Sequence, residues 1–360
     1  MMLKWNPTIS VEDLRQAIGA AAAAGAPVVL PGDCGYVAVL PFHSPRLEAW
    51  CSRLPERPAL WVAEADQLRQ WGFPPPISLE RLFRRGWPLP LLALVPMPEQ
   101  PTGPSGQRSG WQWACDAEGR LRLRHPEHPL TAEIAERLDL SAWLVADTFV
   151  PTVEAALDML DDAEAMGVSV GALPVEPRPS QVVFGPHDWQ MVVEGAVTPD
   201  ELAPLTARLI VFVCTGNTCR SPLAEGLTKM LAAARLGCSV EELPRRGLWI
   251  TSAGLGTSGG WPASAEAVQV AAEHGVDLST HRSRSLHPWL LAAADEVITM
   301  TQGHSDALQT HYPGLGPPPR LLCAQADVPD PIGAGLDVYR ACAAMLRQQV
   351  EQLLAEWLPS

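Results

Sequence analysis

The sequence predicts an α/β protein of two domains, and three observations carry that prediction. Strand-like and helix-like segments alternate from end to end, the pattern of layered α/β folds. The chain has 360 residues, more than a single hydrophobic core ordinarily serves. Midway along, a cysteine and an arginine bracket a short loop between an apolar run and a helix start. Such a strand–loop–helix junction opens a doubly wound parallel sheet with its site at the carboxyl ends of the strands.

The first domain, a twisted α/β sheet, is placed at residues 1–203. Within it Val11 to Ala24 reads as a helix and Pro27-Val-Val-Leu30 as a buried strand. Pro96 to Gly110 is rich in Pro, Gly and Ser and reads as a surface loop. Most of the 36 prolines lie in this half, which implies an irregular, loop-heavy domain. Thr198-Pro-Asp-Glu-Leu-Ala-Pro-Leu205 reads as a connector, with the boundary near residue 204. The second domain, 204–360, is read as strand 208–213, loop, helix 221–235, strand 247–252, helix 262–274, a strand at Glu296-Val-Ile-Thr-Met300 and a C-terminal helix from about Asp337. The chain shows no internal repeat.

With 47% hydrophobic and 18% charged residues the composition is globular. A formal net charge of -14 argues against nucleic acid as the main partner. The N-terminus, Met1-Met-Leu-Lys-Trp-Asn-Pro-Thr8, lacks a basic region followed by an apolar core, and the Ala-rich run from Ala20 to Ala24 is too short and too late for a signal peptide. No apolar stretch approaches a bilayer span, so no membrane partner is expected. Eight cysteines, at 34, 51, 115, 214, 219, 238, 323 and 342, show no framework spacing. Together these predict a cytoplasmic protein with reduced thiols.

The chemistry concentrates at Cys214-Thr-Gly-Asn-Thr-Cys-Arg220-Ser-Pro. It follows Leu209-Ile-Val-Phe-Val213 and opens a helix at Ser221-Pro222. Backbone N–H groups in such a loop, and the positive end of the following helix, converge on an oxyanion. The same field favours a thiolate nucleophile at Cys214. Arg220 can grip two phosphate oxygens with its planar fork. Pro222 suits the first helical turn, where no N–H is needed. The pattern predicts a cysteine-dependent phosphomonoesterase. The leaving group also needs a proton. Asp330, in the stiff Asp327-Val-Pro-Asp-Pro-Ile-Gly333 loop, and Asp327 both qualify, and spacing alone does not separate them. No Cys/His spacing reads as a zinc site, and the mechanism calls for no metal or cofactor. His274, His287, His304 and His311 read as structural or solvated.

Val213-Cys-Thr-Gly-Asn-Thr-Cys-Arg-Ser-Pro222, Thr251-Ser-Ala-Gly254 and Asp330-Pro331 together resemble the low-molecular-weight protein tyrosine phosphatase family, over roughly residues 208–358. The resemblance implies Cys214 as nucleophile, Arg220 as phosphate clamp and Asp330 as general acid. It implies phosphate binding by the loop Thr215, Gly216, Asn217, Thr218, Cys219 and Ser221. Asn217 would be held by Ser221, Ser252 and His281, and Ser221 would also donate to the Cys214 sulfur. In the family a second loop thiol, here Cys219, can form a reversible disulfide with the nucleophile; the competing reading is a small buried residue that fills space.

Thr218 stands where tyrosine-specific members carry an aliphatic residue, and the loop is similar to the protein arginine phosphatase branch. After Asp330-Pro331 the tyrosines of many tyrosine-specific members are replaced by Ile332 and Gly333. Phosphotyrosine and phosphoarginine in protein substrates both stay open. Arsenate reduction is set aside, because no relay of extra cysteines lies between Cys238 and Cys323.

In the first half, Pro31-Gly-Asp-Cys-Gly-Tyr36, Arg84-Arg-Gly-Trp-Pro88, Leu123-Arg-His-Pro126, Pro179-Ser-Gln-Val-Val183 and Val193-Glu-Gly-Ala196 resemble, in order and spacing, a YrdC-like domain, the fold of threonylcarbamoyl-adenylate synthases. The departures are extensive. Gly32 and Cys34 replace threonines, Ser52-Arg53 or Glu56-Arg57 stands for a Lys-x-Arg, Ala146-Asp147-Thr148 for a Ser-Ala-Asn, and Val193 for an arginine. They imply a degenerate module that binds a ligand, recruits substrate or regulates the other half. The primary expectation is thus a protein phosphatase acting through a phosphocysteine. The alternative is a nucleotide-handling protein of tRNA modification with an accessory phosphatase domain, and a third reading is a phospho-site adaptor, which would have no use for Asp330.

Overall fold

The structure, a computed structural model, describes residues 2–4, 11–42, 44–97, 111–137, 143–186 and 188–358. Most of the loop expected at Pro96 to Gly110 lies outside them. The chain divides into two compact units, Met1–Leu205 and Thr206–Ser360.

The first unit carries β1 (Met2–Lys4), β2 (Val28–Pro31), β3 (Tyr36–Pro41), β4 (Ala59–Trp61), β5 (Leu91–Pro96), β6 (Arg120–Arg124), β7 (Trp143–Asp147), β8 (Met166–Ser169), β9 (Ser180–Phe184) and β10 (Trp189–Val193). They form one mixed sheet in the order β1-β8-β2-β3-β7-β4-β6-β5-β9-β10. Pro31, Pro41 and Pro96 each close a strand of this sheet. Side-chain alternation explains its burial on both faces. In β3, Tyr36, Ala38 and Leu40 join one apolar cluster while Val37 and Val39 join another. The segment read as a connector is the helix Pro199–Thr206. Its start is a reciprocal cap that the connector reading overlooked: the Glu201 N–H donates to Thr198 Oγ1, and the Thr198 N–H donates to the Glu201 carboxylate.

The second unit holds four parallel strands among the described residues, β11 (Arg208–Cys214), β12 (Leu248–Gly254), β13 (Glu296–Thr299) and β14 (Arg320–Leu321), in the order β12-β11-β13-β14. Ile210, Phe212 and Cys214 face the helices Arg220–Leu236 and Leu336–Trp357, whose buried residues share their cluster; Leu209, Val211 and Val213 face the other way. The same period-two alternation that buries β11 therefore fixes the direction of the Cys214 side chain. The helices Pro288–Ala293 and Gln302–His311 and the strand β14 were absent from the sequence reading. Each is short or polar and gives a weak periodic signal.

Among the described residues of the first unit, one charged side chain is fully buried. Arg124, at the end of β6, makes a bidentate pair with Asp147 at 3.0 and 3.1 Å and a second ion pair with Asp33. Burial opposes the guanidinium's charge, but Asp147 and Asp33 more than offset it and raise its pKa. Replacing Arg124 by Met leaves two carboxylates without a counter-charge, and we expect a loss of about 3–5 kcal/mol. Denaturant unfolding followed by tryptophan fluorescence measures it; a loss below about 1 kcal/mol would show that the pairs hold nothing together.

Candidate active site

β11 ends at Cys214, where its register partner on β12 is Gly254. A Cβ on Gly254 would lie 2.7 Å from the Thr215 carbonyl oxygen and 3.1 Å from Asn217 Cβ. Only glycine lets the loop after Cys214 approach so closely. The loop then turns through Asn217, whose φ of 53° lies in the left-handed region, uncommon for a residue with a side chain.

That backbone is held from all around. Asn217 Nδ2 donates to Ser221 Oγ and to Ser252 Oγ, both at 2.8 Å, and Oδ1 accepts from the Arg284 N–H at 2.8 Å. His281 Nε2 donates to the Asn217 carbonyl at 2.9 Å. Ser252 Oγ in turn donates to Glu225 at 2.6 Å. The loop carbonyls point outward: Cys214 O accepts from Leu255 N–H, Thr215 O from Gly256 N–H and Thr218 O from Ser264 N–H, at 2.9 to 3.0 Å. The N–H groups of Thr215, Gly216, Thr218 and Cys219 meet no protein acceptor among the described residues. The helix Arg220–Leu236 has no side-chain cap at Cys219 and no acidic residue in its first turn. Outward carbonyls, inward donors and an uncapped helix start make a concave anion cradle.

Cys214 is buried, and its sulfur takes a hydrogen bond from the Asn217 N–H at 3.2 Å and lies 3.0 Å from Ser221 Oγ. An N–H donor and a hydroxyl that can also donate suit an anionic sulfur. Arg220, with only 6% of its side chain exposed, directs Nη2 at Asp330 Oδ2 (2.5 Å) and Nη1 at the Val328 carbonyl (3.3 Å). Asp330 keeps 44% of its side chain exposed. The geometry distinguishes the two aspartates: Asp327 instead accepts from the Gln302 N–H at 2.7 Å and stands at the start of the helix Gln302–His311. Thr218 is half-buried, with Oγ1 3.6 Å from the Cys219 sulfur. That sulfur also lies 3.4 Å from Ser264 Oγ and 3.3 Å from the Tyr339 hydroxyl. Burial, then the Cys219 contact, pushes Tyr339 up to about 12, so it remains a neutral phenol there. Cys214 and Cys219 are both free thiols.

The sequence reading gathered the loop, Ser252, His281 and Asp330, and missed Arg284, Glu225, Tyr339 and His304. His304, set aside as structural or solvated, is buried against the loop, with Nε2 2.9 Å from Thr215 Oγ1 and Nδ1 2.8 Å from Thr301 Oγ1. Burial and the Arg220 charge lower its pKa against the opposing pull of Asp330 and Asp327. A signal for it existed: residues just past the end of a parallel strand fall on the site side of the sheet, and β13 ends at Thr299.

In the first unit Asp33, Cys34 and Asp147 place donor atoms within 4.8 Å of one another. They do not fit a cation. Arg124 already neutralises both carboxylates, and burial, followed by Asp147 and Asp33, pushes the Cys34 thiol up to about 12, away from the thiolate a metal needs. Arg53 and Arg57, the candidate stand-ins for the lost cations, are committed to backbone carbonyls: Arg53 to Leu160 and Asp161, Arg57 to Gln112 and Cys115. No helix among the described residues is long and apolar enough to cross a membrane.

The family described as low molecular weight phosphotyrosine protein phosphatase matches residues 209–358. The probable low molecular weight protein-tyrosine-phosphatase EpsP of Ralstonia nicotianae is 32% identical over 154 residues, spanning 42% of this chain and 94% of that protein. A protein-arginine-phosphatase of Geobacillus stearothermophilus is 34% identical over 149 residues, 40% of this chain and 92% of its own length. The crystal structure of a low molecular weight protein tyrosine phosphatase from T. tengcongensis is 35% identical, covers 42% of this chain and 99% of its own, and superposes with a TM-score of 0.37.

Proposed function

The chain belongs, through residues 209–358, to the low molecular weight phosphotyrosine protein phosphatase family, and on that premise we propose that it dephosphorylates protein substrates through a phosphocysteine at Cys214. The single observation that carries this is the loop itself: a buried sulfur that takes the Asn217 N–H and lies beside Ser221 Oγ, in a cradle of inward N–H groups next to a buried arginine.

The reaction has two steps. In the first, the Cys214 thiolate attacks phosphorus and an S–P bond forms as the bond to the leaving atom breaks. Arg220 and the loop N–H groups carry the charge on the equatorial oxygens. Asp330 gives its proton to the departing atom. In the second, Asp330, now a carboxylate, takes a proton from water as that water attacks phosphorus; the S–P bond breaks and releases inorganic phosphate. The ion pair of Asp330 with Arg220 bears on this cycle. A phosphate entering the cradle competes for the same guanidinium and releases the carboxyl to face the leaving group.

Phosphotyrosine and phosphoarginine are the two substrate chemistries named among the relatives. Thr218 offers a hydroxyl at the cradle's rim, and Ile332, 66% exposed beyond Asp330-Pro331, offers no aromatic face to a phenol ring. Both features support phosphoarginine. The supporting roles of Ser221, Ser252 and His281 are to keep Asn217, and with it the cradle, in shape.

We read the first unit as a divergent YrdC-like module without nucleotide chemistry of its own. The support is that two of the motif segments meet at Arg124, which joins Asp33 to Asp147 of the Ala146-Asp147-Thr148 stretch. Two more meet at Ser180, whose Oγ accepts from the Gly195 and Val197 N–H groups at 2.9 and 3.0 Å.

Asp330→Ala should slow a poor leaving group such as phenyl phosphate at least tenfold more than p-nitrophenyl phosphate; equal slowing would remove Asp330 from the acid's role. With Cys214→Ser as an inactive blank, kcat/KM on phosphoarginine and phosphotyrosine peptides should favour arginine. A preference for tyrosine would make Thr218 incidental to selectivity. Wild-type rates in Cys214→Ser would sink the assignment altogether.

A further inference from the structure

The carbonyls and side chains that shape the loop are unevenly distributed. On the β12 side the loop is held by Ser252, the Arg284, Leu255 and Gly256 N–H groups and His281. On the β13 side stands His304, from the helix Gln302–His311, on the hydroxyl of Thr215. Thr215 is exposed and follows the nucleophile directly, whereas His304 is buried. Its ring has no freedom to turn away, because Nδ1 is bound to Thr301 Oγ1, the hydroxyl that also caps this helix by accepting from the His304 N–H.

We propose that His304 is a positioning residue of the phosphate loop, holding the Thr215 hydroxyl so that the first N–H after Cys214 faces the bound phosphate; this rests on the phosphatase reading above. The Cys214 carbonyl, bonded to the Leu255 N–H, already sets which way the Cys214–Thr215 peptide and its N–H face. A hydroxyl tethered to an imidazole that is itself pinned at its second nitrogen braces that orientation before the substrate arrives, so phosphate binding has less of the loop left to order. Burial and the neighbouring Arg220 favour the neutral ring, so the tether adds a dipole and no second cation beside the clamp. Neutral imidazole suits both its neighbours, since each hydroxyl can donate or accept.

The test uses the full-length protein with p-nitrophenyl phosphate as substrate and vanadate as inhibitor. His304→Ala and Thr215→Val should each raise KM and the vanadate inhibition constant about fivefold to tenfold, with kcat at saturation changed by less than about twofold. The double variant should be no worse than the worse single one, because both remove the same contact. His304→Gln, whose amide can reach Thr215, should recover most of the loss. A purely structural histidine would lower Tm and leave KM and inhibition where they were, and that result overturns the proposal. Additive losses in the double variant overturn it too, as does a folded Thr215→Val indistinguishable from wild type. Wild-type protein that neither turns over nor is inhibited by vanadate would overturn the phosphatase reading and the tether together. An active wild type with an unaltered His304→Ala would overturn the tether alone.

Discussion

Asn217 sits in a left-handed backbone conformation, and the whole cradle depends on its being kept there. Such a conformation costs a residue with a side chain on the order of 1–3 kcal/mol. Two hydrogen bonds from its side-chain amide, one to its Oδ1 and one to its carbonyl oppose that cost, each worth about 0.5–1.5 kcal/mol net. The balance favours the strained turn, and the turn is what aims its own N–H at the Cys214 sulfur. The surroundings of the Cys214 sulfur and the loop's shape are therefore one feature.

The sheet supplies what the loop cannot. Because β11 is buried on both faces, its side chains must alternate between two apolar clusters, and Cys214 inherits the direction of Ile210 and Phe212. β12 contributes twice within three residues. Ser252 reaches Asn217 from the strand, and Gly254 leaves room for the loop to pass. Arg220 begins the following helix, so the guanidinium and the uncapped helix start face the same point. Proline on either side of Asp330 stiffens the loop that brings the carboxyl to that point.

Local chemistry was the legible part of the sequence. The strand, the loop and the helix at 208–236 could all be read from apolar runs, a Cys-x5-Arg spacing and Pro222. What escaped was set by distant packing. Arg284 acts through its backbone N–H, which no residue type announces. Glu225 looks like any helix-surface carboxylate until Ser252 is found on it. Asp327 and Asp330 are equivalent in spacing, and only the fold sends one to Arg220 and the other to Gln302. In the first unit the chain's motif segments were visible, but their meeting at a buried arginine was not, because Arg124, Asp33 and Asp147 are far apart in sequence.

Everything proposed for the second unit turns on a covalent bond between phosphorus and Cys214. The most direct measurement is mass spectrometry of the full-length Asp330→Ala protein, acid-quenched during turnover of p-nitrophenyl phosphate. Slowed hydrolysis should let the intermediate accumulate, and the peptide that contains Cys214 should carry the mass of one phosphoryl group. The same peptide from Cys214→Ala protein should not. A protein that releases phosphate while the Cys214 peptide stays unmodified at every quench time would contradict the account.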